Sequence, residues 1–139
     1  MSLGPIMMDL RGLELEDDER KLLQDPLVGG IILFSRNFSD LDQLQNLTRE
    51  IHALRKPPLL IAVDHEGGRV QRFRQGFCSL PACRAYGEIY DIDNKRGLEL
   101  VEKAGWLMAI ELLCVGVDFS FAPVLDVDRG ISQVIGDRA

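Results

Sequence analysis

The sequence predicts an α/β fold, a parallel sheet whose strands alternate with helices. Three observations carry that expectation. The runs at residues 29–34 and 59–63 are apolar almost throughout, as in strands buried on both faces of a parallel sheet. The longer segments between such runs repeat apolar residues at spacings of three and four, the signature of amphipathic helices. Polar, glycine-containing stretches then gather after the strands, which is where α/β proteins bind ligands.

Each element follows in turn. Residues 5–10 are a short apolar run and the expected first strand. The segment 17–24 places acidic residues first and Arg20 and Lys21 later, a polarity that suits the helix dipole, and Pro26 closes it. The acidic residues around its start, Glu14, Glu16, Asp17 and Asp18, read as a solvated helix start. Residues 29–34 form the second strand, with Ser35-Arg36-Asn37-Phe38 as the loop at its carboxyl end. Leu41, Leu44, Leu47, Ile51 and Leu54 make the clearest helical stripe in the chain. Ser39 is the expected N-cap, with Asp42 three residues on, and Pro57-Pro58 end the helix. His52 lies beside the stripe and reads as a surface or half-buried structural histidine.

Residues 59–63 are the third strand. The stretch 76–94 is irregular, with Pro81 and one short helix expected near 82–90, and connections of this length often serve as lids or binding loops. Asn94 opens a helix running to about residue 115, with Leu98, Val101, Gly105, Met108, Ala109 and Leu112 on one face. Trp106 lies off that stripe and is expected to pack against a neighbouring helix. The fourth strand is expected over 119–128, ending in carboxylates, and Gly136-Asp137-Arg138-Ala139 brings a last arginine to the ligand side. A β-α-β-α-β-α-β order fits two architectures. One is an open doubly wound sheet, complete in roughly 120–150 residues. The other is the first half of a (β/α)8 barrel, which needs about 250 residues. Composition and periodicity leave both open.

Composition sets further bounds. The chain has 139 residues, net charge −6 and 46% hydrophobic residues, enough for a single globular domain over 1–139. The acidic balance argues against a nucleic-acid partner, since no basic stripe offsets it. Cys78, Cys83 and Cys114 are odd in number and lack metal-type spacing, so they read as free thiols in a reducing compartment. No apolar run approaches the ~18 residues of a transmembrane helix, and the N-terminus lacks a secretory pattern. The expectation is therefore a cytoplasmic protein with no membrane partner. Met1-Ser2-Leu3 reads as a remnant of cloning. No metal or organic cofactor is suggested.

The stretch with most chemistry is Asp64-His65-Glu66-Gly67-Gly68-Arg69-Val70-Gln71-Arg72-Phe73-Arg74. Asp64 ends the third strand, Gly67 and Gly68 allow a tight turn or a close approach, and three arginines follow. A carboxylate that accepts from hydroxyls, beside guanidinium forks that donate, suits a sugar or another polyhydroxylated ligand. Against this stands a structural reading, in which Asp64 is simply paired with a neighbouring arginine.

Four ordered motifs carry a family resemblance that bears on the choice between the architectures. They are Val-Gly-Gly-Ile-Ile-Leu-Phe-Ser-Arg-Asn at 28–37, Ala-Val-Asp-His-Glu-Gly-Gly-Arg-Val-Gln-Arg-Phe-Arg at 62–74, Phe-Ala-Pro-Val-Leu-Asp-Val at 121–127 and Ile-Gly-Asp-Arg at 135–138. Together they resemble the N-terminal part of the cytoplasmic β-N-acetylhexosaminidases of glycoside hydrolase family 3. The resemblance implies the N-terminal half of a (β/α)8 barrel, with about four parallel strands. It implies an enzyme that releases terminal, non-reducing β-linked N-acetylglucosamine from peptidoglycan fragments during cell-wall recycling, with retention of configuration. The partner it implies is an N-acetylglucosamine-containing muropeptide or disaccharide. Asp64 matches the family aspartate that binds sugar hydroxyls, and Arg72 and Arg138 match two arginines that contact the sugar. His65 stands where these enzymes commonly carry glutamine, and its side chain is expected to point away from the ligand.

The family's nucleophilic aspartate and its acid/base histidine fall after residue 139, so no residue of this chain is assigned a catalytic role. The expectation is a fragment of a longer enzyme that alone hydrolyses nothing and tends to self-associate through its unpaired sheet edges. Two other readings stand beside it. One is a non-catalytic sugar-binding half-barrel. The other is a small phospho-receiver-like domain with Asp64 as acceptor, which would need an acidic pair after the first strand where the chain offers only Asp9.

Overall fold

The computed structural model describes residues 4–131 and 133–138, with Asp137 described by its backbone alone. Met1-Ser2-Leu3, read above as a cloning remnant, and Ala139 of the closing motif lie outside the described residues. Three helix-containing connections link four parallel strands, β1 (Ile6–Met8), β2 (Val28–Leu33), β3 (Leu60–Val63) and a last strand, Phe119–Ser120. Helix α1 (Asp17–Leu22) joins β1 to β2, and α2 (Leu41–Ala53) joins β2 to β3. The third connection holds a hairpin of β4 (His65–Gly67) and β5 (Val70–Gln71), then α3 (Cys83–Ile92) and α4 (Asn94–Cys114), before β6 (Phe119–Ser120).

The strand order in the sheet is β1-β2-β3-β6, every pair parallel and each neighbour the next of this sheet's own strands along the chain, with β4 and β5 pairing apart from it. A doubly wound sheet reverses its order at a switch point, and this one does not. The winding in one direction is that of a (β/α)8 barrel, so topology settles what periodicity left open.

Burial explains the element types. Ile31, Leu33, Ile61 and Val63 are fully buried at the centre of the core, joined by Leu44, Leu47 and Ile51 of α2. Desolvating such side chains contributes roughly 1.5–3 kcal/mol each. The predicted N-cap Ser39 is displaced by one residue: Asp40 caps α2, its Oδ1 accepting from the Gln43 N–H at 2.9 Å. Both side chains can cap, and the carboxylate also favours the positive helix end. Thr48 on α2 donates its hydroxyl to the Val115 carbonyl at 2.7 Å, tying α2 to the end of α4. His52 is half-buried and meets Asp118 at 3.2 Å, while Asp118 also accepts from the Ile61 N–H, so this histidine is structural. At the start of α1 the acidic residues are not merely solvated. Arg11 bonds Glu16 and Asp18, and Glu19 is buried, accepting from the Arg11 and Glu16 N–H groups.

Three expectations need correction. The fourth strand spans 119–120 and not 119–128, with one further bond from the Phe121 N–H to the Val63 carbonyl. Pro123 has no N–H to give a ladder, so pairing ends just before it. Around the expected turn at Gly67 and Gly68, residues 65–71 form a two-stranded hairpin that no strand expectation covered. Trp106 is 66% exposed and packs on no core, and Leu98 and Val101 on the expected apolar face are exposed too. Gly97 is the tight point of α4: a Cβ there would lie 2.6 Å from Tyr90 Cα on α3. Val101, Met108 and Leu112 of α4 instead line an apolar groove shared with Phe119 and Pro123. Among the described residues no helix is long and apolar enough to cross a membrane.

Candidate functional site

Strand β3 delivers Asp64 to the carboxyl edge of the sheet, one residue beyond Val63, with its side chain 26% exposed. Arg72 returns to it from the far side of the hairpin, Nη2 lying 3.0 Å from Asp64 Oδ2. The Arg72 guanidinium also lies over the Phe34 ring, 5.5 Å from its centroid, and the Ser35 hydroxyl donates to the Arg72 carbonyl. Arg36 covers the same ring at 4.7 Å, donates from Nε to the Leu10 carbonyl and pairs with Asp9. A line of charges and one aromatic ring therefore crosses the carboxyl ends of β1, β2 and β3. Each cation–π contact of this kind contributes roughly 0.5–1 kcal/mol.

The hairpin explains how Asp64 and Arg72 meet. Gly67 and Gly68 turn with φ of 93° and 59°, and a Cβ on Gly67 would lie 2.3 Å from the Pro81 carbonyl oxygen. Only glycine tolerates both demands. Gln71 is buried and fastens the loop that follows, its amide bonding the Phe73 and Cys78 carbonyls and the Leu80 N–H. Arg74 donates to the Gly68 carbonyl at 2.9 Å, a structural tie. Arg69 donates to the carbonyls of Val134 and Ile135.

Arg138 does not join the Asp64–Arg72 pair directly. Its Nε and Nη2 fork onto the two oxygens of Glu66 at 2.8 and 2.6 Å. Hydrogen bonding to Glu66 raises the guanidinium above its ordinary value, and burial opposes this. The fields of Asp64 and Asp126 also reach Arg138, which puts all three predicted binding residues on one electrostatic patch. Arg72 Nε is buried without a hydrogen-bond partner among the described residues, leaving one unmet donor at the site.

His65 faces away from this patch, as expected. The residue is 1% exposed, its ring packed 5.9 Å from Phe73 and 5.5 Å from Phe77, with neither nitrogen hydrogen-bonded among the described residues. Desolvation pushes its pKa down from 6.5 to about 4; the field of Glu111 raises it and that of Arg74 lowers it further. Between those two values the unfolded chain binds a proton that the folded chain refuses. Stability is therefore whole above pH 6.5 and falls as the pH drops toward 4, by about 3 kcal/mol in all. Denaturant titrations from pH 4 to pH 7 should show that slope, and His65→Gln should flatten it. An unchanged slope in the variant would assign the acid lability elsewhere.

Sequence reasoning singled out Asp64, Arg72 and Arg138 and put the Arg36 loop at the carboxyl end of the second strand, but missed Glu66 and Phe34 as parts of the same surface. One signal for Glu66 was available: residues two apart on a strand share a face, so Asp64 and Glu66 project together.

The fold and the site define a barrel protein whose strand ends carry paired carboxylates and guanidinium groups. The chain belongs to glycosyl hydrolase family 3: residues 5–139 match the family's N terminal domain. It is 66% identical over 139 residues to a β-hexosaminidase of Thioalkalivibrio sulfidiphilus and 62% identical to one of Hydrogenovibrio crunogenus. It covers 40% and 39% of those proteins' lengths, so the chain spans about two-fifths of the relatives it matches. Among solved structures, NagZ from Neisseria gonorrhoeae in complex with N-trifluoroacetyl-D-glucosamine superposes with a TM-score of 0.96 at 50% identity, over 99% of this chain and 41% of that one. A family 3 β-N-acetylglucosaminidase from Paenibacillus gives 0.78 at 37% identity, over 87% of this chain and 23% of that one. The four-stranded parallel sheet is thus the N-terminal part of a (β/α)8 barrel.

Proposed function

We propose that this chain is the sugar-binding half of a β-N-acetylhexosaminidase, a retaining glycoside hydrolase that releases terminal, non-reducing β-linked N-acetylglucosamine from peptidoglycan fragments. One observation carries the reading. Asp64 and Arg72 pair where the third strand ends, Arg138 is held on Glu66 within reach of the Asp64 charge, and among the described residues Arg72 Nε is left without a partner. The names of the relatives and the sugar analogue bound to the gonococcal protein support it.

In the proposed reaction Asp64 accepts hydrogen bonds from sugar hydroxyls, while Arg72 and Arg138 donate to its oxygens. Holding the ring in place converts later attack into an effectively unimolecular step. A carboxylate then attacks the anomeric carbon and an acid protonates the leaving oxygen. The glycosyl-enzyme is released when that same group, now a base, activates water. Residues outside these 139 supply both groups. His65 is 1% exposed and His52 is held by Asp118, so neither stands in for the acid. We assign the muropeptide or disaccharide as substrate and the cytoplasm as setting on the family resemblance. The open edges of β1 and β6 favour self-association of the isolated half-barrel.

The test compares the 139-residue chain with the protein expressed from its full coding frame, using 4-nitrophenyl N-acetyl-β-glucosaminide. Turnover by the full-frame protein alone, with the β-anomer formed first by NMR, is the expected result. Turnover by the 139-residue chain would overturn the division of labour. Sugar binding without turnover by the full-frame protein would replace the hydrolase with a non-catalytic lectin-like function.

A further inference from the structure

Among the described residues two carboxylates are buried, Glu19 and Glu66. Glu19 is accounted for by the backbone N–H groups of Arg11 and Glu16 that it satisfies at the start of α1. Glu66 has a different occupation. Both of its oxygens go to one guanidinium that lies 72 residues further along the chain.

A buried ion pair adds little net stability over apolar side chains of the same size, so stability is a weak reason for this one. Geometry is a better reason. A bidentate fork fixes both the position and the plane of a guanidinium, which a single point contact does not. Arg138 needs such fixing. It ends a short 3-10 turn, Gly136–Arg138, that belongs to no sheet ladder, and residues 121–131 before it are irregular. The hairpin grips this segment a second time, where Arg69 donates to the Val134 and Ile135 carbonyls at 3.3 and 3.2 Å. The fork occupies Nε–H and one hydrogen of Nη2, leaving the Nη1 hydrogens and the other on Nη2 for a ligand. Asp64 and Glu66, two residues apart, then divide the work: one carboxylate faces the sugar and the other holds the arginine that does.

We propose that Glu66 is a positioning residue for sugar binding, holding Arg138 through the bidentate fork while Arg69 anchors the backbone of the same segment. This rests on the reading of Arg138 as a sugar ligand, and the test separates the two claims. In the full-frame protein, the dissociation constant for N-acetylglucosamine is measured by calorimetry for Arg138→Ala, Glu66→Gln and the double variant, with kcat/KM beside it. Each single change is expected to weaken binding about tenfold or more, since a displacement of about 1 Å in a positioning group can cost about a hundredfold. The double variant should bind no more weakly than Arg138→Ala alone, because Glu66 acts only through Arg138. If Arg138→Ala leaves binding unchanged, the assignment of Arg138 to the sugar falls and this inference falls with it. If Arg138→Ala weakens binding but Glu66→Gln does not, or if the two losses multiply, the positioning role alone is overturned. Should Glu66→Gln fail to fold, Glu66→Asp carries the same cycle, keeping the charge while shortening its reach.

Discussion

Asp64→Ala in the full-frame protein is expected to lower kcat/KM for an N-acetyl-β-glucosaminide by about a hundredfold or more. Two interactions disappear together. Asp64 Oδ2 holds Arg72 Nη2 at 3.0 Å, and in the proposed binding mode the carboxylate's remaining lone pairs accept from sugar hydroxyls. Hydrogen bonds to a charged group are each worth roughly 1.5–3 kcal/mol, so losing two corresponds to about two orders of magnitude or more. Among the described residues the guanidinium left behind keeps its place over Phe34, and its buried Nε still has no partner. Asp64→Asn keeps the shape and one acceptor oxygen, so its loss should be smaller. Steady-state kinetics check this, with a thermal melt as control, since a side chain at the strand end carries little of the core. Retention of kcat/KM within about threefold would return Asp64 to a purely structural ion pair.

Phe73→Ala should cost about 3–5 kcal/mol of unfolding free energy, a large share of the roughly 5–15 kcal/mol typical of a domain. Phe73 is wholly buried and stands at the middle of an aromatic cluster, with ring centroids 5.0 Å from Phe38, 5.6 Å from Phe77 and 5.9 Å from His65. Alanine would lose those pairings and leave a cavity that the flanking rings fill only in part. Phe73 also follows Arg72 directly, so the same change should loosen the arginine and weaken sugar binding beyond the stability loss. Equilibrium unfolding in urea at neutral pH measures the first effect. A loss under about 1 kcal/mol would mean that the loop after β5 collapses onto the gap.

Much of this architecture was legible in the order of residues. The three-and-four spacing of Leu44, Leu47 and Ile51 announced α2, and those side chains are buried in the core. The run ending at Val63 announced β3, and its position made Asp64 a residue to watch. Both signals are local, depending on periods shorter than one element. Competition between adjacent groups was harder to read. Ser39 and Asp40 both suit an N-cap, and the backbone chose the second. The pairing of 119–128 was overestimated because apolar residues continue past the point where Pro123 ends the hydrogen bonding. The apolar stripe of α4 pointed to a packed helix, yet Trp106 and Leu98 stay exposed beside an open groove.

What the sequence determined by itself was the alternation of strands and helices, the carboxylate at a strand end and the family resemblance carried by four motifs. These follow from periodicity and from short-range order, which a linear string contains in full. Only the tertiary structure decided the rest. The consecutive strand order chose a barrel over a doubly wound sheet, because winding direction is a relation among elements. The hairpin brought Arg72 back over Asp64 and turned His65 into the aromatic core. The Glu66–Arg138 fork joins residues separated by most of the third connection, last strand and following loop. Such contacts depend on where the backbone returns in space, and no local propensity encodes that distance.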